Sequence, residues 1–162
     1  MSWNTEAVAA AESLTLASFT SQTAWELGSL IRSTIQALPA GKQRPAIIAI
    51  TSASGQELFF ATSREGTRID NAHWAARKRA SVLRWGQSTA SLNVKYGNNG
   101  VPAVFGAKLE DYACHGGGFP IRIKGVEPLV AVVVVSGLAQ EDDHQVIVDS
   151  IEEYIKQGEG KK

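Results

Sequence analysis

Seven consecutive apolar residues, Leu129 to Val135, constrain this fold more than any other stretch, because five of the seven are valine. β-Branched side chains lose little rotamer freedom on a pleated surface, and so short a run, apolar on both faces, predicts a central strand covered on each side. Just before it, Phe119, Ile121 and Ile123 alternate with Pro120, Arg122 and Lys124, the pattern of a strand that buries one face and wets the other. Pro120 cannot donate to a ladder and belongs at the start of that strand or on an edge. Gly125-Val126-Glu127-Pro128 supplies a turn, so the two strands read as an antiparallel hairpin.

Ser136-Gly137 ends the apolar strand, and Glu141, Asp142 and Asp143 open a helix where carboxylates offset the positive end of the helix dipole. Val146, Ile147, Ser150, Ile151, Tyr154 and Ile155 recur at helical spacing and form its packed face. At about 100° per residue, Asp143 and His144 fall on either shoulder of that stripe, at the rim of the core. Asp142 reads as plain dipole compensation. A histidine beside an acid at a rim reads either as structure or as an imidazole held to touch a ligand.

Upstream, Thr5 to Leu38 predicts one or two helices, with Leu27, Leu30, Ile31, Thr34, Ile35 and Leu38 as a single stripe ended by Pro39-Ala40-Gly41. Ala46 to Ile50 and Glu57 to Thr62 predict a second hairpin around Gly55. Asp70 then reads as the N-cap of a basic helix, with Ile69 stapled to Trp74. That helix ends between Trp85 and Asn93 and carries Trp74, Val82, Trp85 and Lys78 on one side, with His73, Arg77 and Arg84 on a second. The tryptophans read as packing anchors. The His73/Arg77/Arg84 cluster is either a solvated face or a receptor for a carboxylate. Tyr96 to Gly118 is glycine-rich and irregular, with one short strand expected near Val104 or Lys108; so long a loop in a compact domain is usually functional or oligomeric.

Sixteen basic and sixteen acidic side chains in 162 residues cancel, so no global field favours nucleic acid or an anionic membrane. Cys114 is the only cysteine, which excludes an internal disulfide and a cysteine-built zinc site. Met1 to Thr20 lacks a basic n-region and a sustained apolar segment, and no run approaches the roughly 18 residues of a membrane span. Cytoplasm is the expected compartment. His115-Gly116-Gly117-Gly118 copies the letters of an esterase oxyanion segment, but no Gly-x-Ser-x-Gly elbow accompanies it, and neither a Walker loop nor a dinucleotide fingerprint occurs. The three histidines lack metal-ligand spacing, so no residue is given a catalytic or metal-binding role.

Several of these features recur together in one family. Arg77-Lys78 on the basic helix, Gly117-Gly118-Phe119-Pro120-Ile121, Val135-Ser136-Gly137-Leu138 and Asp143-His144 resemble the haem-degrading-domain family of the HbpS, GlcG and PduO-C-terminal type. Asp70-Asn71 with Trp74 resembles its cytosolic, functionally uncharacterised branch, and the likeness runs from about residue 10 to residue 157. The resemblance implies an α/β (α+β) fold, an antiparallel five-stranded profilin- or PAS-like sheet flanked by helices in the order α-β-β-α-β-β-β-α. It implies one domain over residues 1–162, with a helical segment at 5–38 and a flexible tail at 158–162. It also implies a homo-oligomer, dimers assembled into rings of about eight to ten, and a haem or other tetrapyrrole as candidate cofactor.

Two functions are compatible with these residues. One is the binding of a small anionic ligand where the glycine segment meets the basic helix, through His115, Gly116, Gly117, Gly118, Phe119, Arg77, Lys78, Ser136, Asp143 and His144. The other is a non-catalytic oligomeric scaffold for protein partners, in which Arg77, Arg84, Arg122, Lys124 and the loop around Asn98 form interfaces.

Overall fold

A computed structural model describes residues 3–161 of the chain. The valine-rich run becomes β4 (Ala131–Ser136), all of whose residues are buried. It lies between β1 (Ile47–Ser52) and β3 (Gly118–Ile121), with β2 (Glu57–Thr62) beyond β1, and every neighbouring pair is antiparallel. A strand buried on both faces needs cover on each. Helices α2 (Ser21–Gln36) and α5 (Gln140–Lys156) supply one layer and α3 (Ile69–Trp85) the other. Because successive residues face opposite sides, Val133 and Val135 enter the larger core with Leu27, Ile31 and Ile147, while Val132 and Val134 meet Ala75 and Val82 of α3. Full burial of each such side chain is worth about 1.5–3 kcal/mol, which makes this strand the apolar anchor of both layers.

The α+β architecture agrees with expectation, but the sheet has four strands, not five. The strand expected near Val104 is a single 3-10 turn, Ala103–Phe105, in a loop where Gly97, Gly100 and Gly106 take positive φ and break extended backbone. Near where a further strand could pair, Leu16 makes one isolated bridge to Ile123: its N–H donates to the Arg122 carbonyl at 2.8 Å, and the Lys124 N–H donates to its carbonyl at 2.9 Å.

The N-terminal segment divides into α1 (Thr5–Ala11) and α2, the latter opened by a reciprocal pair in which the Thr23 N–H donates to Thr20 Oγ1 and the Thr20 N–H to Thr23 Oγ1. Asp70 is not the cap of α3. Arg68 holds that position, its N–H bonded to Asn71 Oδ1 at 2.8 Å, and Ile69 is 79% exposed instead of stapled to Trp74. Gly86, at φ +69°, ends α3, and Ser88 then caps α4 (Thr89–Tyr96) by accepting from the Ser91 N–H at 3.1 Å.

Arg122, expected on a wet strand face, is an internal tie. Its guanidinium donates to the Glu12 carboxylate and carbonyl and to the Gly86 carbonyl, while the other Glu12 oxygen accepts from the Ser88 N–H and the Ser91 hydroxyl. At the C-terminal end, α6 (Gly158–Lys161) lies beside α5, and the Glu159 carboxylate accepts the Ala17 N–H. Lys162 lies outside the described residues.

Gly117 is a tight joint between layers. Its φ is +125°, and a Cβ there would lie 2.4 Å from the Val135 carbonyl oxygen and 2.7 Å from Lys78 Nζ. Gly117→Ala combines left-handed strain with a backbone clash and is expected to lower stability by about 2 kcal/mol or more. A urea midpoint unchanged from wild type would contradict this packing.

Candidate functional site

The open cavity with the richest chemistry lies where α3, the end of β4 and the start of α5 converge. It measures about 330 Å³ and is lined by Asp70, Asn71, Trp74, Lys78, His115, Ser136, Gly137, Leu138, Gln140 and Asp143. Trp74 and Lys78 reach it from one side of α3 because they are four residues apart, one above the other on the helix.

Lys78 is 2% exposed, Asp143 likewise 2%. The ammonium donates to Asp143 Oδ2 at 3.1 Å and to the Val135 carbonyl at 3.0 Å. Asp143 also accepts the Leu138 N–H at 2.9 Å and the Gly137 N–H at 3.4 Å, so it closes the turn between β4 and α5. Burial pushes its carboxyl up to about 6, against the opposing pull of Lys78 and of the Leu138 and Gly137 amides. Since the Lys78 charge is matched by Asp143 and Asp70 adds a carboxylate at the wall, the cavity carries no net positive field.

His115 lies edge-on to Trp74, with ring centroids 4.9 Å apart. Its Nδ1 is buried and, among the described residues, has no hydrogen-bond partner. Burial, reinforced by the Lys78 and Arg77 charges, holds its pKa below the ordinary imidazole value, which favours the neutral ring at pH 7. The unused nitrogen of a neutral imidazole can accept a hydrogen bond or ligate a metal ion; His115 lines the cavity but its Nδ1 is itself buried, so a ligand meets that nitrogen only after the ring turns.

Of the residues singled out from the sequence, the cavity brings together Lys78, His115, Ser136 and Asp143. The glycine amides do not form an anion cradle: the Gly116 N–H donates to Gln140 Oε1 at 2.9 Å and the Gly118 N–H to Thr89 Oγ1 at 2.8 Å. Those glycines are there for close approach, since Cβ atoms at 116 and 118 would press on Gln140 and Val82. The arginine cluster also dissolves. Arg77 spends its guanidinium on the Leu109 carbonyl and lies over the Trp74 ring, and Arg84 bonds the Phe105 carbonyl, so both pin the 97–113 loop. His73 is exposed. Phe119 is a core residue, 1% exposed, and His144 packs between it and Trp3, away from the Lys78 cavity. Sequence reasoning did not assign Gln140, whose site role comes only from the turn after Gly137; Asn71 and Trp74 had been noticed for other reasons.

A model of the HbpS-like haem-degrading proteins matches residues 19–152. The chain belongs to that family. Among curated relatives, a UPF0303 protein of Psychromonas ingrahamii is 37% identical over 145 residues, covering 88% of this chain and 87% of that protein. The UPF0303 protein YBR137W of Saccharomyces cerevisiae is 33% identical, over 84% and 75% of the two chains. The crystal structure of Ybr137w superposes with a TM-score of 0.84 at 31% identity, over 94% of this chain and 88% of that one. HbpS itself, at 19% identity and a TM-score of 0.64 over 88% and 94%, shares the fold, as does PduOC, solved as a complex with heme, at 18% and 0.64 over 83% and 94%.

The His144 ring generates a prediction. It is 3% exposed, and burial lowers its pKa from 6.5 to about 4 despite the nearby Glu12 and Asp149 carboxylates. A depressed histidine contributes stability that is present above the unfolded value and lost as pH falls through the folded one, on the order of 3 kcal/mol here. Asp143, raised from 3.8 to about 6, has the opposite slope: its contribution is full below 3.8 and lost as pH rises through 6. The two oppose each other between pH 4 and 6. His144→Leu is therefore expected to gain stability relative to wild type as pH falls from 6.5 to 4, by on the order of 3 kcal/mol in urea titrations. Parallel pH profiles for the two proteins would show that the ring is not buried neutral.

Proposed function

We propose that this protein is a cytoplasmic, oligomeric binder of a small carboxylate-bearing ligand, haem being the foremost candidate, and that the ligand enters the Lys78–His115 cavity. The observation that carries the reading is His115: a ring favoured neutral at pH 7, with a nitrogen that no protein group uses, beside an aromatic wall. The donor set fits a haem, whose iron takes a neutral histidine nitrogen. His115 would hold the iron beside Trp74, and Lys78, already paired with Asp143 and the Val135 carbonyl, has one N–H left for a carboxylate. When bound, the haem would supply redox or ligand-carrying chemistry; the chain itself contributes binding and orientation, and no catalytic step is assigned to it. Family membership and the heme-bound PduOC relative support the same choice. No helix among the described residues is long and apolar enough to cross a membrane.

Titrating the purified protein with haemin is expected to give a saturable, shifted Soret band that His115→Ala weakens by at least about tenfold in affinity. A spectrum identical to free haemin in the wild-type protein would remove haem from this reading.

A second reading, the non-catalytic scaffold, has its own support. Val104 is 87% exposed and Phe105 and Leu109 are each 50% exposed, on the loop that Arg77 and Arg84 pin. Exposed apolar side chains held in one conformation are what an interface between copies requires, and closed rings of dimers, eight to ten chains, are the assembly we propose. Light scattering on Val104→Asp/Phe105→Ser is expected to report a lower mass than wild type. An unchanged mass would place the interface elsewhere.

A further inference from the structure

A second hollow, of about 250 Å³, opens between α1 and α5. Its lining is mixed: Ala7, Val8, Leu14 and Val148 give apolar surface, Asn4, Gln145 and Glu152 polar surface, and His144 is its most buried polar residue. His144 is 3% exposed, yet its Nδ1 has no hydrogen-bond partner among the described residues. Its neighbours are rings: Trp3 stands edge-on at 5.6 Å and Phe119 is tilted at 5.9 Å. A buried polar atom left without a partner is costly, and in folded proteins such atoms are nearly always bonded to protein, water or ligand.

The Trp3 ring is held in place from two sides. Its Nε1–H donates to Asn93 Oδ1 at 2.8 Å, and it lies against Gly116, where a Cβ would come within 2.7 Å of the indole. The indole is thus a fixed wall of the hollow. Charge narrows the occupant further. Glu152 lines the hollow, Glu12 and Asp149 act on the imidazole, and no lysine or arginine is among the lining residues. An anion is disfavoured there, and the volume lies below the span of about 300–1,000 Å³ that serves drug-sized ligands.

We infer that the α1–α5 hollow is a second binding site, which takes a small neutral molecule, chiefly a single apolar ring, carrying one hydroxyl or N–H that bonds to His144. The site is separate from the Lys78–His115 cavity and does not depend on any ligand bound there. Its chemistry differs as well: one apolar ring with one polar atom, against a carboxylate-bearing ligand in the other.

Phenol and toluene are suitable probes because they share shape and differ by one hydroxyl. In the wild-type protein and its variants, titration followed by the Trp3 indole N–H in NMR spectra is expected to saturate with phenol, and phenol should bind the wild type about tenfold more tightly than toluene, the value of one hydrogen bond. His144→Leu should abolish that preference while leaving toluene binding intact. Ala7→Phe changes an exposed residue of α1, so it spares the core while filling the hollow, and should block both probes. No saturable shift with phenol, or equal affinity for phenol and toluene in the wild type, would overturn the assignment. So would full phenol binding in Ala7→Phe. Haemin binding is read in the same samples by the Soret band, so a failure here is distinguishable from a failure at His115.

Discussion

The buried ion pair between Lys78 and Asp143 is the interaction on which the rest of this structure depends. Two charges withdrawn from water lose several kcal/mol of hydration each, and attraction alone rarely offsets that loss; additional hydrogen bonds must do so. Here they are supplied by backbone: the Val135 carbonyl for the ammonium, and the Gly137 and Leu138 N–H groups for the carboxylate. Each of those partners sits at the end of β4 or in the turn after it. The pair therefore ties α3 on one face of the sheet to the first turn of α5, through the strand that lies between them. Replacing either ion alone would leave the other buried and uncompensated, so the two hold their places only as a pair, whatever the function. The presence of the pair also dictates glycine at 117, because the ammonium occupies the space a side chain would need.

Function follows from what that tie leaves over. Lys78 reaches across to Asp143, so α3 stands off the β4–α5 turn by the length of a lysine, and the gap is the cavity that His115 and Trp74 wall. A cavity created by an ion pair is polar at its base and aromatic at its side, which suits a ligand with an apolar body and a charged end. The electrostatics are balanced, so in the proposed binding a carboxylate would be selected not by long-range attraction but by hydrogen-bond geometry at Lys78 and by the neutral ring of His115. That separates this site from a surface arginine cluster, which would attract anions of any shape.

Much of the fold was legible because single residues announced it. The valine run marked the central strand, the Glu57 to Thr62 run matched its strand to the residue, and the basic helix, expected to end between Trp85 and Asn93, ends at Trp85. The fifth strand was not legible correctly, because the β-branched and apolar letters around Val104 say nothing of the positive φ at Gly100 and Gly106 that breaks extended backbone there. The site was legible in part. Lys78, His115, Ser136 and Asp143 could be guessed to converge, but the sequence showed Arg77, Lys78 and Arg84 on one helix without showing which carbonyls they would find. Arg77 and Arg84 found Leu109 and Phe105, carbonyls in a loop whose path no local pattern predicts. The glycine segment misled for a similar reason: glycine permits an exposed amide, but it equally permits close packing, and only the neighbours decide.

Asp143 and His144 show how adjacent letters come to serve different ends. Consecutive residues on a helix point about 100° apart, and α5 lies across the sheet with one shoulder toward α3 and the other toward α1. The aspartate thus enters the ion pair and the histidine the aromatic nest of Trp3 and Phe119, although one peptide bond separates them. Burial acts on both, and in each case it favours the uncharged form, so the carboxyl gains protons and the imidazole loses them relative to the unfolded chain. A change at one residue then alters the proton balance of the first turn of α5 without touching its neighbour's contacts. The helix start therefore joins two hollows mechanically while keeping their chemistries apart, because what crosses between them is a rigid turn of backbone and not a shared side chain.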